Sequence, residues 1–153
     1  MAKNKIDELI SIQKEEFSLF YQGIANNVQK QVLKNLKAEK DVNGDDLAEL
    51  KDSTRKERRS KGYRGAHPIL KRTGRLRESI KFTADINSMF IVSDSVDYGD
   101  DLNDGRSDMK PRKILEMPDN WKVGGKERDL SFQKMEKRFL NRIKDALNIY
   151  DDR

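Results

Sequence analysis

Apolar residues at Ile6, Leu9, Ile10, Phe17, Phe20, Ile24, Val28, Val32 and Leu36 recur at threes and fours, with one seven-residue step across Gln13. That period lays them along one stripe and predicts a single long helix from about Ile6 to Ala38. Gly23 lies inside the pattern, where it costs roughly 1 kcal/mol relative to alanine. No heptad holds and no charge code flanks the stripe, so it reads as ordinary core, not as a coiled-coil seam. The turn formers Asp41-Val-Asn-Gly44 are expected to stop the helix.

Beyond that turn the pattern shortens. Leu47 and Leu50 give a small apolar face to a second helical stretch from Asp45 to Ser60, with Ser53 or Thr54 capping the polar run Arg55-Lys-Glu-Arg-Arg59. Residues 60–73 read as loop. Within the stretch from Gly62 to Ile80, residues 62–68 read as an arm that orders against a partner. Leu70 and Leu76 are expected to reach the core on either side of a Thr73-Gly74 turn. From Ser79 the period becomes two: Ile80, Phe82 and Ala84 alternate with polar residues, predicting a strand. Asp85 to Ser88 is a turn and Met89 to Val92 a second strand, together an antiparallel hairpin. Two strands alone are marginal in water and need a cover.

Asp94 to Asp104 is an acidic stretch, Met109 to Leu115 a loop feeding a short extended segment, and Asn120 to Lys126 a turn. Phe132, Met135, Phe139, Ile143, Ala146, Leu147 and Tyr150 then mark an amphipathic helix to Tyr150, capped by Asp129 or Ser131. The expected architecture is α+β. A long N-terminal helix and a C-terminal helix pack on a small antiparallel sheet with long loops, as one domain over residues 1–153. Its parts are the long helix (1–40), a basic helix and loop region (41–78), hairpin and loops (79–117), and the C-terminal helix (129–150).

Composition sharpens this. Hydrophobic residues make up 35% and charged residues 39% of the 153, a small supply of core for the length. The net charge is +5, yet Lys51 to Lys81 holds twelve basic and three acidic residues. The rest of the chain is therefore slightly acidic, and the basic region is expected to face an anionic partner. Cysteine is absent, which excludes disulfides, thiolate metal sites and cysteine nucleophiles. No apolar run suits a transmembrane helix or a signal peptide, so a cytoplasmic origin is expected.

Candidate chemistry is sparse. His67 is the single histidine and has no partner set for zinc or nucleophilic catalysis. Asp41, Asn43 and Asp45 alternate as in a calcium loop, but the glycine is at the fourth position and not the sixth. Gly-Tyr-Arg-Gly and Val-Gly-Gly-Lys lack the phosphate-loop frame. Asp94, Asp97, Asp100, Asp101 and Asp104 fit no defined ligand spacing. No catalytic residue, metal or cofactor is expected. The basic region could neutralise phosphates, but only Tyr63 supplies an aromatic within it, which leaves a small basic nucleic-acid-binding protein as the alternative reading.

An ordered series of short segments does resemble a family. Asn43-Gly44, Leu47, Leu50-Lys51-x-Ser53-Thr54, Pro68-Ile-Leu70 and Thr73-Gly74-Arg-Leu76-Arg-x-Ser79-Ile80 come first, followed by Tyr98-Gly99, Gly105 and Pro111-Arg112-Lys-Ile-Leu115. The series is similar to that of the phage virion morphogenesis, or tail-completion, proteins of the Mu type, over roughly Asp41 to Met117. Leu47 and Glu49 stand where that family has tryptophan and proline. Leu102-Asn-Asp-Gly105 lacks its aromatic, and Lys113 replaces its second proline.

The resemblance implies a non-enzymatic virion protein at the head–tail junction or tail end of a phage or prophage, assembled in the host cytoplasm. It implies a homo-oligomeric ring, often of six, that meets the tail-tube and head–tail connector proteins, with room for non-specific DNA contact and no membrane. The expected interface residues are Arg58, Arg59, Arg64, Lys71, Arg72, Arg75 and Arg77 in a basic loop. Asp97, Asp100, Asp101 and Asp104 would be their acidic counterparts on the next subunit.

Overall fold

A computed structural model describes residues 4–70, 74–84, 89–93, 98–106, 109–122 and 124–148. The chain is mostly helical. Its elements are α1 (Lys5–Lys37), α2 (Asp52–Ser60), α3 (Arg75–Ser79), β1 (Ile80–Ala84), β2 (Met89–Ser93), α4 (Gly99–Asp104), a 3-10 turn at Asp119–Trp121, and α5 (Lys126–Leu147). The long N-terminal and C-terminal helices are present as expected. Strand structure among the described residues is confined to β1 and β2, which pair with each other. Where one domain was expected, the chain divides into two compact units. One comprises Met1–Asn26, Thr83–Phe90 and Asn120–Arg153, the other Asn27–Phe82 and Ile91–Asp119.

In the first unit α1 and α5 supply the packing. Ile12, Phe20, Ile24 and Ala25 are buried on α1, and Trp121 and Met135 on the C-terminal side. Phe20 meets Phe132 edge-on with ring centroids 5.8 Å apart, a favourable aromatic geometry. The apolar stripe read from the sequence is therefore on the wrong face near its start: Ile6 is 61% and Ile10 44% exposed. The buried face runs instead through Ile12 and Glu16.

Glu16 is the reason. Its side chain is 3% exposed, accepting from Arg138 Nε at 2.8 Å and from an Arg142 guanidinium nitrogen at 3.0 Å, while Arg142 also reaches Glu15 at 2.8 Å. Glu16 pairs near residue 140 and Phe20 pairs with Phe132, so the two helices run antiparallel here. Burial alone would raise the Glu16 carboxyl, but hydrogen bonds from Arg142 and Arg138, reinforced by their charge, hold it below its ordinary value. A carboxyl depressed in the folded state binds fewer protons than in the unfolded chain. Its stabilisation is complete above the unfolded pKa and is lost as pH falls through the folded one. Acid unfolding should therefore set in below about pH 4.5, and Glu16→Gln should flatten that part of the stability–pH curve. Urea melts across pH 3 to 7 check this.

α5 starts at Lys126 with Gly125 as N-cap and no side-chain cap, not at the expected Asp129 or Ser131. Those positions fall in the first two turns, where Glu127 and Asp129 complement the helix dipole without capping it. Asn148 closes the helix in the left-handed region, φ 54°, a conformation asparagine tolerates. Tyr150, expected on its apolar face, lies outside the described residues.

The second unit is stitched by turns and side chains. The chain leaves α1 through Glu39 at φ 59°. Asp41 Oδ1 then accepts from the backbone N–H groups of Asn43, Gly44 and Asp45, each at 2.9 Å, which makes the predicted stop a tight carboxylate-centred turn. The helix expected from Asp45 begins only at Asp52, with Lys51 as N-cap and no cap bond from Ser53 or Thr54. The intervening residues are drawn into tertiary pairs. Lys40 and Asp46 form an antiparallel bridge, the Leu47 N–H donates to Glu39 O, and Arg112 occupies the carbonyls of Ala48 and Glu49. Val28, Val32, Val42, Leu47, Ile69, Leu76, Ile80, Phe82 and Ile114 form the apolar core of this unit. β1 shows the expected alternation, with Ile80 and Phe82 buried and Lys81 and Thr83 exposed.

Candidate functional site: a cationic cleft with an aromatic lip

Two buried arginines build the site. Arg58 on α2 is 5% exposed and donates to Ile69 O at 3.3 Å and Pro68 O at 3.0 Å. It thereby pins the loop after α2 against the helix. The loop's other anchor is Glu39, whose carboxylate meets His67 Nδ1 at 2.6 Å and accepts from the Ile69 N–H. Residues 62–68, expected to be a free arm, are thus held at their C-terminal end, and the Gly62 and Tyr63 N–H groups bond back to α2 at Arg59 O and Arg58 O.

Arg112 is the second post, 6% exposed. Its Nε donates to Ala48 O at 3.2 Å and a terminal nitrogen to Glu49 O at 3.3 Å, while its backbone N–H donates to Leu102 O at 2.9 Å. Burial lowers its pKa, but a guanidinium stays charged at any relevant pH. Asn103 completes the stitch, accepting at Oδ1 from the Ile114 and Leu115 N–H groups at 2.9 Å each. Gly105 ends α4 at φ 75°, and a Cβ there would stand 2.6 Å from Met109 O and 2.7 Å from Pro111 N. Only glycine lets the chain turn this closely under α4.

Between these posts lies a partly open cleft of about 570 Å³, walled by α2, α3, α4 and the segments around Leu50, Ile69 and Met109. Its floor is apolar, from Leu50, Ile69, Leu70, Leu76 and Leu102. Its lip carries Tyr63, Tyr98 and Met109, which are 37%, 43% and 37% exposed. Five lining residues are cationic (Lys51, Arg58, Arg75, Lys110 and Arg112), against Glu49 and Glu57. Both acids are already engaged by basic residues outside the lining, Glu49 by Arg55 and Glu57 by Lys61. The cleft therefore presents apolar surface in a positive field.

The expected basic loop is not one loop. Arg58 and Arg59 are on α2, Arg64 on the loop that follows, and Arg75 and Arg77 on α3; Lys71 and Arg72 lie outside the described residues. Arg59, Arg64, Arg75 and Arg77 are exposed and suit a surface role. Arg58 does not, because its guanidinium is spent on carbonyls of its own chain. The acidic residues form a helix in place of the expected loop: Asp100, Asp101 and Asp104 are on α4, and Asp97 lies outside the described residues. Asp101 pairs within the chain with Arg106 at 3.2 Å, and Asp104 accepts from Asn103 at 2.9 Å. Neither tyrosine of the lip nor Met109 stood out as a site residue in the sequence. An exposed aromatic beside glycine, in Gly62-Tyr63 and Tyr98-Gly99, is the signal that was there to be read.

No three acidic or histidine side chains gather as a metal site among the described residues, and none of their helices is long and apolar enough to cross a membrane. Comparison with protein-family models, curated proteins and solved structures finds no match for this chain.

Proposed function

We propose that this chain is a non-enzymatic structural subunit of tailed-phage or prophage virion morphogenesis, acting in tail completion or head–tail joining as a ring. The observation that carries the reading is convergence. The segments that resemble the tail-completion family all fall in the unit made of Asn27–Phe82 and Ile91–Asp119, and their apolar and glycine positions do structural work there. Leu47, Ile69, Leu76, Ser79, Ile80, Gly99, Arg112 and Ile114 are buried, and Gly44, Gly74 and Gly105 take positive φ. In this reading β1 and β2 form an antiparallel hairpin that a neighbouring subunit covers. The exposed apolar residues Leu19, Leu130 and Leu140 support a surface completed by assembly.

Sedimentation velocity at rising concentration tests the reading, with a discrete closed oligomer expected. Arg64→Glu, on an exposed loop residue, should leave the thermal melt of the subunit within about 0.5 kcal/mol of wild type. It should weaken assembly or capture by tail-tube or connector proteins. A chain that stays monomeric and captures neither would overturn the proposal. Exposed Arg59, Arg64, Arg75 and Arg77 favour a second reading, nucleic-acid binding. That reading requires a mobility shift at low salt that falls steeply as salt rises.

A further inference from the structure

We propose that the cationic cleft binds an extended peptide segment of a partner protein, one in which a carboxylate stands beside a large apolar side chain, and that Arg112 anchors the carboxylate. The cleft lies wholly within the unit made of Asn27–Phe82 and Ile91–Asp119, so the inference is independent of the ring reading. Arg112 is the observation that carries it. Its side chain is buried, yet its partners are the neutral carbonyls of Ala48 and Glu49, and no carboxylate pairs with it among the described residues. Burial lowers its pKa, and no neighbouring acid offsets that cost. Carbonyls satisfy N–H groups but leave the positive charge uncompensated, whereas buried charges are normally paired. Nε and Nη2 hold the two carbonyls. Nη1 has no acceptor among the described residues and is not sealed from solvent, and Arg112 lines the cleft. One guanidinium nitrogen therefore faces the cleft with its donors unused.

The rest of the cleft selects what the anion is attached to. Lys110, on the same segment, is exposed and has no acidic partner among the described residues, so it adds charge at the rim. The wall's own acids, Glu49 and Glu57, are held by Arg55 and Lys61. The floor is aliphatic, from Leu50, Ile69, Leu76 and Leu102, with Tyr98 and Met109 half-exposed at the lip. Such a floor takes an apolar side chain and penalises a nucleobase, whose polar edges would lose their hydrogen bonds there. A single guanidinium nitrogen beside an ammonium suits the single charge of a carboxylate, whereas a nucleic acid needs cations repeated along its backbone. A partly open cleft of about 570 Å³ admits a few residues of extended chain and not a folded domain. The apolar and anionic demands are adjacent, so the segment must meet them on neighbouring residues.

The test uses the full-length chain and a random heptapeptide library displayed on ribosomes. Selection is expected to enrich peptides with Asp or Glu next to Phe, Leu, Ile or Trp. In fluorescence anisotropy an enriched peptide should bind roughly tenfold more tightly than the same peptide with Asn or Gln in place of its acid. That preference should persist at about 0.5 M salt, because a buried charge is screened much less than an exposed one. Tyr98→Ala and Lys110→Glu, both at exposed positions, should each weaken binding, while Lys37→Glu, on α1 and not lining the cleft, should leave it unchanged. Arg112→Lys is read at a temperature where its melt shows it folded. Its one ammonium is taken by the carbonyls, so the preference for acid over amide should fall to about twofold or less. Four results overturn the inference. The first is no enrichment, or enrichment of peptides without an acid. The second is an acid preference that vanishes at high salt or survives Arg112→Lys unchanged, which assigns it to the surface field and not to Arg112. The third is a labelled single-stranded oligonucleotide, and no peptide, binding in a manner that depends on Tyr98 and Lys110. The fourth is self-association lost in Lys110→Glu with no peptide enriched, which gives the cleft to a second copy.

Discussion

Arg112→Ala is expected to be among the most damaging single substitutions in the chain, lowering stability by about 3 kcal/mol. The guanidinium is 6% exposed and spends its donors on Ala48 O and Glu49 O. Truncation takes the donors from those two carbonyls and opens a void the size of the lost side chain. It also removes the buried charge from the cleft. On a chain of this size the thermal midpoint should fall by roughly 6–12 °C. Arg112→Lys keeps the charge but not the fork, and an ammonium cannot hold both carbonyls with the same geometry, so about half the loss should remain. Scanning calorimetry of the three proteins checks the order. A loss under about 0.5 kcal/mol for the alanine variant would mean that water replaces the guanidinium and that the cleft wall does not depend on it.

Gly105→Ala should cost nearly as much, for a different reason. At φ 75° an L-residue is strained by about 1–2 kcal/mol. Here the new methyl would also stand within 2.8 Å of Met109 O, Pro111 N and Pro111 Cδ. Backbone cannot yield as a flexible side-chain tip can, so the segment after Gly105 must move, and Arg112 moves with it. A total near 3 kcal/mol is expected. Gly44→Ala separates the two contributions: its φ is 98°, but nothing lies within 4 Å of the added carbon. It should show the conformational part alone, about 1 kcal/mol. Equal losses for the two variants would show that the close approach under α4 is relieved at no cost.

Arg112 and Gly105 lie within the segments that resemble the tail-completion family, so under the proposed function these two substitutions bear on assembly as well as stability.

What could be read locally was read correctly where the period was long and unbroken. Val28 and Val32 on α1 are buried, and Ile80 and Phe82 on β1 alternate as expected. The Asp41 turn is a property of one carboxylate reaching three successive N–H groups. The long helices follow from spacing of threes and fours, which needs no partner to be visible. The apolar stripe failed near the start of α1 because the buried position there is a carboxylate. Glu16 is tolerable only with two arginines 122 and 126 residues away, and no local pattern announces them.

The site shows the same division. The sequence by itself determined that Lys51 to Lys81 is strongly basic, that glycines punctuate it, and that chemistry requiring cysteine is closed to this protein. Those are properties of composition and nearest neighbours. Only the tertiary structure decided which cations remain on the surface. Arg58 and Arg112 leave the basic surface because the fold turns carbonyls onto them, from the loop just after α2 for Arg58 and from a segment more than sixty residues earlier for Arg112, and a buried guanidinium is stable only where acceptors converge. Folding α4 and the segment after Gly105 onto α2 also brought Tyr63, Tyr98 and Met109 to one lip, turning three unremarkable exposed side chains into a cleft.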